Sequence, residues 1–139
     1  MPRNRMRVKV TKKVSRFRSK FEKSIASSLR IDGIPFLYEP YPIKYIKPQT
    51  PHKYIPDFVL PNGIVIEAKG LFSSKDRQKH LLIQEQYPKL DIRFVFQRPF
   101  NRLYKGAKTT YAEWATKNGF KWAKKKVPKE WIMESFPEE

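Results

Sequence analysis

The sequence predicts a mixed α/β domain, in which a central sheet of antiparallel and parallel strands is flanked by helices. Three observations carry that expectation. Apolar residues recur at helical spacing at Phe17, Phe21, Ile25 and Leu29. Two β-prone runs around Pro61-Asn62-Gly63 read as a hairpin from Ile55 to Lys69. A strand, helix, strand run from Ile64 to Gln97 then reads as a right-handed crossover between parallel strands.

In chain order, the first helix is expected from Ser15, with Gly33 as its stop. Short β-prone runs follow at Pro35 to Glu39 and Ile43 to Lys47, punctuated by Pro40, Pro42, Pro48 and Pro51. Prolines at that density suit an extended edge or bridging segment better than an interior strand. After the hairpin, Ser73 and Ser74 offer N-caps for a helix to about Tyr87, apolar at Leu81, Leu82 and Ile83. Leu90 to Gln97 is a strand with Ile92, Phe94 and Phe96 on one face. Thr110 and Glu113 give a capping-box signature for a helix that Gly119 closes, and "VPKEWIM" reads as a short docking segment.

One domain is the expectation for 139 residues, with residues 1–15 a flexible basic arm and 16–139 a single folded unit. No apolar run is long enough for a membrane span, and the basic amino-terminal stretch lacks the apolar core of a secretory signal. The absence of Cys excludes disulfides and thiolate metal sites and suits a cytoplasmic location. Lys and Arg number 30 against 13 Asp and Glu, a formal net charge of +17. Such an imbalance is self-repelling and points to a polyanionic partner. The basic residues cluster from Arg3 to Lys20 without one acid between them, a footprint suited to nucleic-acid phosphates.

Chemistry concentrates in "YIPDFVLPNGIVIEAKG", Tyr54 to Gly70, which sets Asp57, Glu67 and Lys69 among strand residues. Glu67 and Lys69 share one strand face by alternation, with Ile66 and Ala68 on the other. A two-residue turn would set Asp57 opposite Ala68. A three-residue loop, with Pro61 opening a type I turn and Gly63 left-handed, sets Asp57 directly across from Glu67. Their Cβ atoms would then stand roughly 5 Å apart. Like charges so placed destabilise a sheet unless something positive lies between them. Lys69 alone is one answer. A divalent cation is a better one, and hard oxygen ligands favour Mg²⁺ or Mn²⁺. Asp57 and Glu67 would supply carboxylates and Ala68 its carbonyl, while Lys69 orients a water for phosphodiester hydrolysis.

Pro56-Asp57 and Glu67-Ala68-Lys69 resemble the PD-(D/E)xK motif of restriction-type nucleases. Together with "FRSKFE", "LPNGI", "KDRQKHLL", "LDIRFVF", "LYKGAKT" and "EWI", the sequence resembles the phage endonuclease I family of Holliday-junction resolving enzymes from about Arg16 to Ile132. The resemblance implies a restriction-endonuclease-like core and a homodimer whose protomers exchange segments across a bridge, here the Pro-rich stretch at about 41–51. It implies Asp57 and Glu67 as principal metal ligands, Lys69 as the catalytic lysine and Glu22 as an acid serving a second Mg²⁺ site, in cis or in trans. Mn²⁺ would substitute, with two ions in each site and no organic cofactor. The implied partner is branched DNA, especially four-way junctions, cut by paired nicks in the host cytoplasm if the protein is phage-encoded.

Arg16, Arg18 and Lys20, on or just before the Glu22 helix, and Arg77 and Lys79, on the helix after the motif, are the expected DNA contacts. His52 and His80 are each alone, and His80, beside Lys79, is expected as a surface or DNA-facing residue. Among Tyr104, Tyr111, Trp114, Trp122 and Trp131, base stacking competes with burial, and Trp114 is assigned to the core. Two other functions stay open. One is a sequence-specific or transposase-type nuclease on the same core. The other is a non-catalytic basic nucleic-acid-binding protein, for which the hairpin's charges are incidental.

Overall fold

The computed structural model describes residues 17–47 and 50–137, so the basic arm at 1–15 and Arg16 lie outside the described residues. Helix α1, Lys20–Ile31, starts later than the expected Ser15 because Ser19 and Glu22 form a capping box: Ser19 accepts from the Glu22 N–H, and Glu22 accepts from the Ser19 N–H. Gly33, at φ +68°, ends it in the left-handed conformation.

Strand β1 (Leu37–Tyr38) leads into β2 (Ile43–Lys47) and β3 (Thr50–Tyr54), which pair antiparallel as a separate two-stranded ribbon. The expected β-run at Ile43 to Lys47 is present, and the Pro-rich stretch is edge-type paired structure, with Thr50–Tyr54 as a second strand not expected from the sequence. Pro51 is accommodated in β3 because the ribbon has only two strands, each with an edge that needs no donor. The far edge of β2 is covered by the end of α2 (Ser74–Gln86): Gln86 accepts from the Ile46 N–H and donates back to the Ile46 carbonyl, and the Tyr87 hydroxyl donates to the Lys44 carbonyl. A glutamine amide thus extends the ladder and blunts the edge.

The main sheet runs β1, β4 (Phe58–Val59), β5 (Val65–Lys69), β6 (Ile92–Phe96), β7 (Trp122–Lys124), with the first three antiparallel and the last three parallel. The expected hairpin register holds. The Gly63 N–H donates to the Leu60 carbonyl and the Leu60 N–H to the Ile64 carbonyl, both at 2.9 Å, with Gly63 at φ +84°; Phe58 pairs with Ile66. Helix α2 connects β5 to β6, and α3 (Tyr111–Lys117) connects β6 to β7. Thr110 caps α3 through the Glu113 N–H, and Gly119, at φ +79°, lets the Phe120 N–H reach the Ala115 carbonyl.

Each face of the sheet carries a core. Phe94, Phe96, Phe72, Ile83, Tyr111 and Phe120 pack under α2 and α3, with Trp114 half-buried against them. Ile25, Leu29, Phe58, Ile66, Val95 and Trp131 pack under α1 and α4 (Lys129–Met133), the docking segment. Strand β6 is consequently buried on both faces. Its Arg93, only 1 % exposed, is held by Asp91 and Glu134 and lies over the Trp131 ring. Helix α2 turns Ile83 inward and packs Leu82 against the core, as expected, but it adds His80 to the buried side and leaves Leu81 exposed. Among the described residues no helix is long and apolar enough to cross a membrane.

Candidate active site

The hairpin loop sets the geometry. Because Pro61, Asn62 and Gly63 form a three-residue loop, Asp57 falls opposite Glu67, one residue before β4 begins. The two acids complete the ladder with their side chains. The Asp57 N–H donates to Glu67 Oε2 at 2.9 Å, and the Ala68 N–H donates to Asp57 Oδ2 at 2.9 Å. The N–H and C=O of one strand residue leave by the same edge, so the Ala68 carbonyl also emerges beside Asp57. Asp57 Oδ1 has no donor among the described residues.

Helix α2 supplies the second wall. Lys69 Nζ lies 3.7 Å from Glu67 Oε1 and 3.7 Å from Asp76 Oδ1, while His80 Nε2 lies 3.5 Å from Glu67 Oε1. Asp76 and His80 are one helical turn apart, a rise of about 6 Å. Glu67 and Lys69 are two strand residues apart, about 6.6 Å. The near match lets one helix face address one strand face residue for residue. His80 is fully buried; the surface role expected for it is overturned, because its side of α2 faces the sheet.

Glu22 reaches the same cleft from α1, on the opposite face of the sheet, past the two-residue β4. Its Oε1 is saturated by the N–H groups of Arg18 and Ser19 at 3.1 Å and the Tyr38 hydroxyl at 2.9 Å. Oε2 is left without a donor among the described residues. Glu22, Asp57, Glu67, Ala68 and Lys69 all line one cleft of about 710 Å³.

The charges in this cleft are out of balance. Burial first, then the adjacent Glu67 carboxylate, push Asp57 up to about 9, against the Ala68 N–H and the Lys69 ammonium. Burial also pushes Glu67 upward, but His80, Lys69 and the Asp57 N–H outweigh it and hold Glu67 low. Lys69 is raised: the pull of burial is overcome by Glu67, Asp76 and Asp57. Burial lowers His80 despite Glu67. An aspartic acid kept protonated near neutral pH marks a site that the chain leaves short of positive charge.

That shortage, with oxygen-only donors, fits Mg²⁺ or Mn²⁺. Among the described residues no group of three or more His, Asp or Glu side chains forms a ready-made cage. A cation here would rely on Asp57, Glu67, the Ala68 carbonyl and water, a donor set that suits Mg²⁺, which gives up its waters reluctantly.

Of the expected DNA contacts, Arg18, Lys20 and Lys79 line the cleft. Arg18 is ion-paired to Glu39 at 2.8 Å, and the Lys79 ammonium lies 5.4 Å over the Tyr54 ring. Arg77 is not brought there; its guanidinium donates to the Phe72 carbonyl at 2.8 Å. His52 sits on the ribbon against the Thr50 hydroxyl at 2.9 Å. Tyr111 and Trp131 are core, whereas Tyr104 is exposed. Sequence reasoning missed Asp76, whose signal was the Ser73-x-x-Asp76 capping box. It also misplaced His80, whose signal was its position one turn beyond Asp76.

The family model for phage endonuclease I matches residues 3–138. Endonuclease I of Escherichia phage T7 is 50 % identical over 123 residues, spanning 88 % of this chain and 83 % of that protein. Endodeoxyribonuclease 1 of Enterobacteria phage T3 is 52 % identical over 112 residues, spanning 81 % of this chain and 74 % of its own. A match over nearly the whole length, joined to two relatives at about half identity, establishes that the chain belongs to the phage endonuclease I family.

Proposed function

We propose that this chain is a structure-selective, Mg²⁺-dependent endodeoxyribonuclease that resolves four-way (Holliday) junctions by paired nicks. The observation that carries the reading is the Asp57 and Glu67 pair, locked face to face beside Lys69 in one cleft and short of positive charge. A bound Mg²⁺, or Mn²⁺ in its place, supplies charge stabilisation at the scissile phosphate and a more acidic attacking water. The chain's own residues do the rest. Asp57 gives up its proton to join Glu67 as a carboxylate ligand, Lys69 Nζ orients the water, and Arg18, Lys20 and Lys79 hold phosphates along the cleft. Glu22 serves a second cation through its free oxygen.

The sheet and helices are read as a restriction-endonuclease-like core, and the active form as a homodimer. The Pro-rich stretch at about 41–51 is the segment across which two chains exchange: the strand pairs of the β2–β3 ribbon form between protomers, and Glu22 of one chain completes the site of the other. Two symmetric sites suit a junction that needs two symmetric cuts.

The test is cleavage of a four-way junction and of the matching linear duplex, each with Mg²⁺ and with EDTA, by the wild-type protein and Glu67→Gln. Paired nicks confined to the junction, lost with EDTA and in the variant while binding persists, support the reading. Equal cutting of both substrates removes the junction preference. No cutting with Mg²⁺, nor with Mn²⁺ in its place, and unchanged binding in the variant, leaves a basic DNA-binding protein.

A further inference from the structure

His80 is fully buried, and neither ring nitrogen has a hydrogen-bond partner among the described residues. A buried polar group without a partner is costly and calls for an explanation. Its surroundings would suit an apolar side chain better: the ring meets Tyr54 and Phe94 edge-on at 5.5 and 4.9 Å, with Phe120 behind at 6.5 Å. These aromatic walls fix the plane of the ring. The nearest acid is Glu67, whose Oε1 lies 3.5 Å from Nε2. Asp57 already holds the other oxygen of that carboxylate through its N–H.

We propose that His80 is a positioning residue for Glu67, donating its Nε2–H to Oε1 and so fixing the carboxylate for the cation. The inference rests on the metal reading of Glu67 given above. A carboxylate gripped from its inner side by an imidazole and from its strand side by a backbone N–H cannot rotate away as the cation and substrate arrive. Outer partners of this kind orient ligands and typically alter metal affinity about 10–100-fold when removed. At 3.5 Å the two atoms stand at the outer limit of hydrogen-bond reach, and a small rotation of the Glu67 carboxylate closes the contact.

The test is calorimetric titration of Mn²⁺ into DNA-free protein, for the wild type, His80→Gln and His80→Leu. A glutamine keeps an N–H donor near the Nε2 position, and a leucine keeps only bulk. Weakening of about 10–100-fold in His80→Leu, with His80→Gln within about threefold of wild type, is the expected result. Equal Mn²⁺ affinity in all three, or equal loss in both variants, overturns the proposal. A wild-type protein that binds no Mn²⁺ overturns the metal reading of Glu67 and this proposal with it. Should His80→Leu fail to fold, the ring nitrogens of His80 in the wild type decide by NMR: an Nε2–H tautomer perturbed by Glu67→Gln supports the contact, and an Nδ1–H tautomer overturns it.

Discussion

Lys69 Nζ and Asp76 Oδ1 stand 3.7 Å apart across the gap between β5 and the first turn of α2, as close as Lys69 is to Glu67 on its own strand. The lysine is thereby held between two acids, with its ammonium aimed into the cleft. Asp76→Asn removes the charge but keeps an oxygen to accept the Ser73 N–H, so the helix cap survives. We expect single-turnover cleavage to fall roughly tenfold, with thermal stability changed by less than about 0.5 kcal/mol. An unchanged cleavage rate would show that Lys69 needs no such restraint.

Glu22 combines a helix cap with a candidate ligand, and the two roles separate by substitution. Glu22→Gln preserves the capping box, so its melting temperature should stay near wild type, while cleavage falls by about a hundredfold. Glu22→Ala should in addition lose about 1 kcal/mol of stability. A heterodimer of one Glu22→Gln chain and one Glu67→Gln chain locates the residue. If Glu22 acts across the dimer, one site is intact and single nicks return; if it acts within its own chain, both sites stay dead.

Asp57 gives the metal-free protein a pH signature. Its folded pKa, at about 9, lies far above the ordinary carboxylate value near 3.8. Between those values the folded state holds a proton that the unfolded state releases, so stability falls as pH rises. From about pH 7.5 to 8.5, where an unfolded His is almost wholly neutral, denaturation in EDTA should show a loss of up to about 1.4 kcal/mol per pH unit. Asp57→Asn should flatten that slope. A wild-type slope of zero would show that Asp57 is ionised without a cation.

Asn62, at the hairpin tip, ties the fold's last segment in place. Its amide donates to the carbonyls of Trp131 and Glu134 at 2.8 and 2.9 Å. Asn62→Ala should destabilise the protein by about 2 kcal/mol and speed amide exchange over Pro128–Glu134, with cleavage unchanged below the melting temperature. Uniform exchange across the protein would show that the tie is not local.

The sequence made the hairpin legible because Pro61 is locked at the φ that opens a type I turn and Gly63 readily takes the left-handed conformation that closes the loop, so loop length and register followed and Asp57 had to meet Glu67. Helices α2 and α3 were legible because Ser73 and Thr110 are favoured N-caps, whereas α1 is capped by Ser19 and not at the expected Ser15. Strand β7 was not: Trp122–Lys124 is three residues inside a lysine-rich run, with no alternation to mark it. Strand β3 was hidden by Pro51, which reads as a breaker unless the strand lies at an edge. The inward turn of His80 escaped because periodicity counts only apolar residues as inward-facing, and the buried stripe of α2 includes a histidine. Functional sites are where such rules break down.

Just before β4 begins at Phe58, carboxylates stand in for the carbonyls that would have extended the sheet. One pair of atoms therefore serves both as scaffold and as reagent. Alanine at Asp57 or Glu67 would remove a charge and fray a sheet edge together, so inactivity in such a variant could not be assigned to chemistry. Amide replacements keep the stitch and discard the charge. An inert protein for capture with intact DNA should therefore carry Asp57→Asn or Glu67→Gln. The same coupling constrains natural variation, because most changes at these two positions would damage folding as well as reactivity.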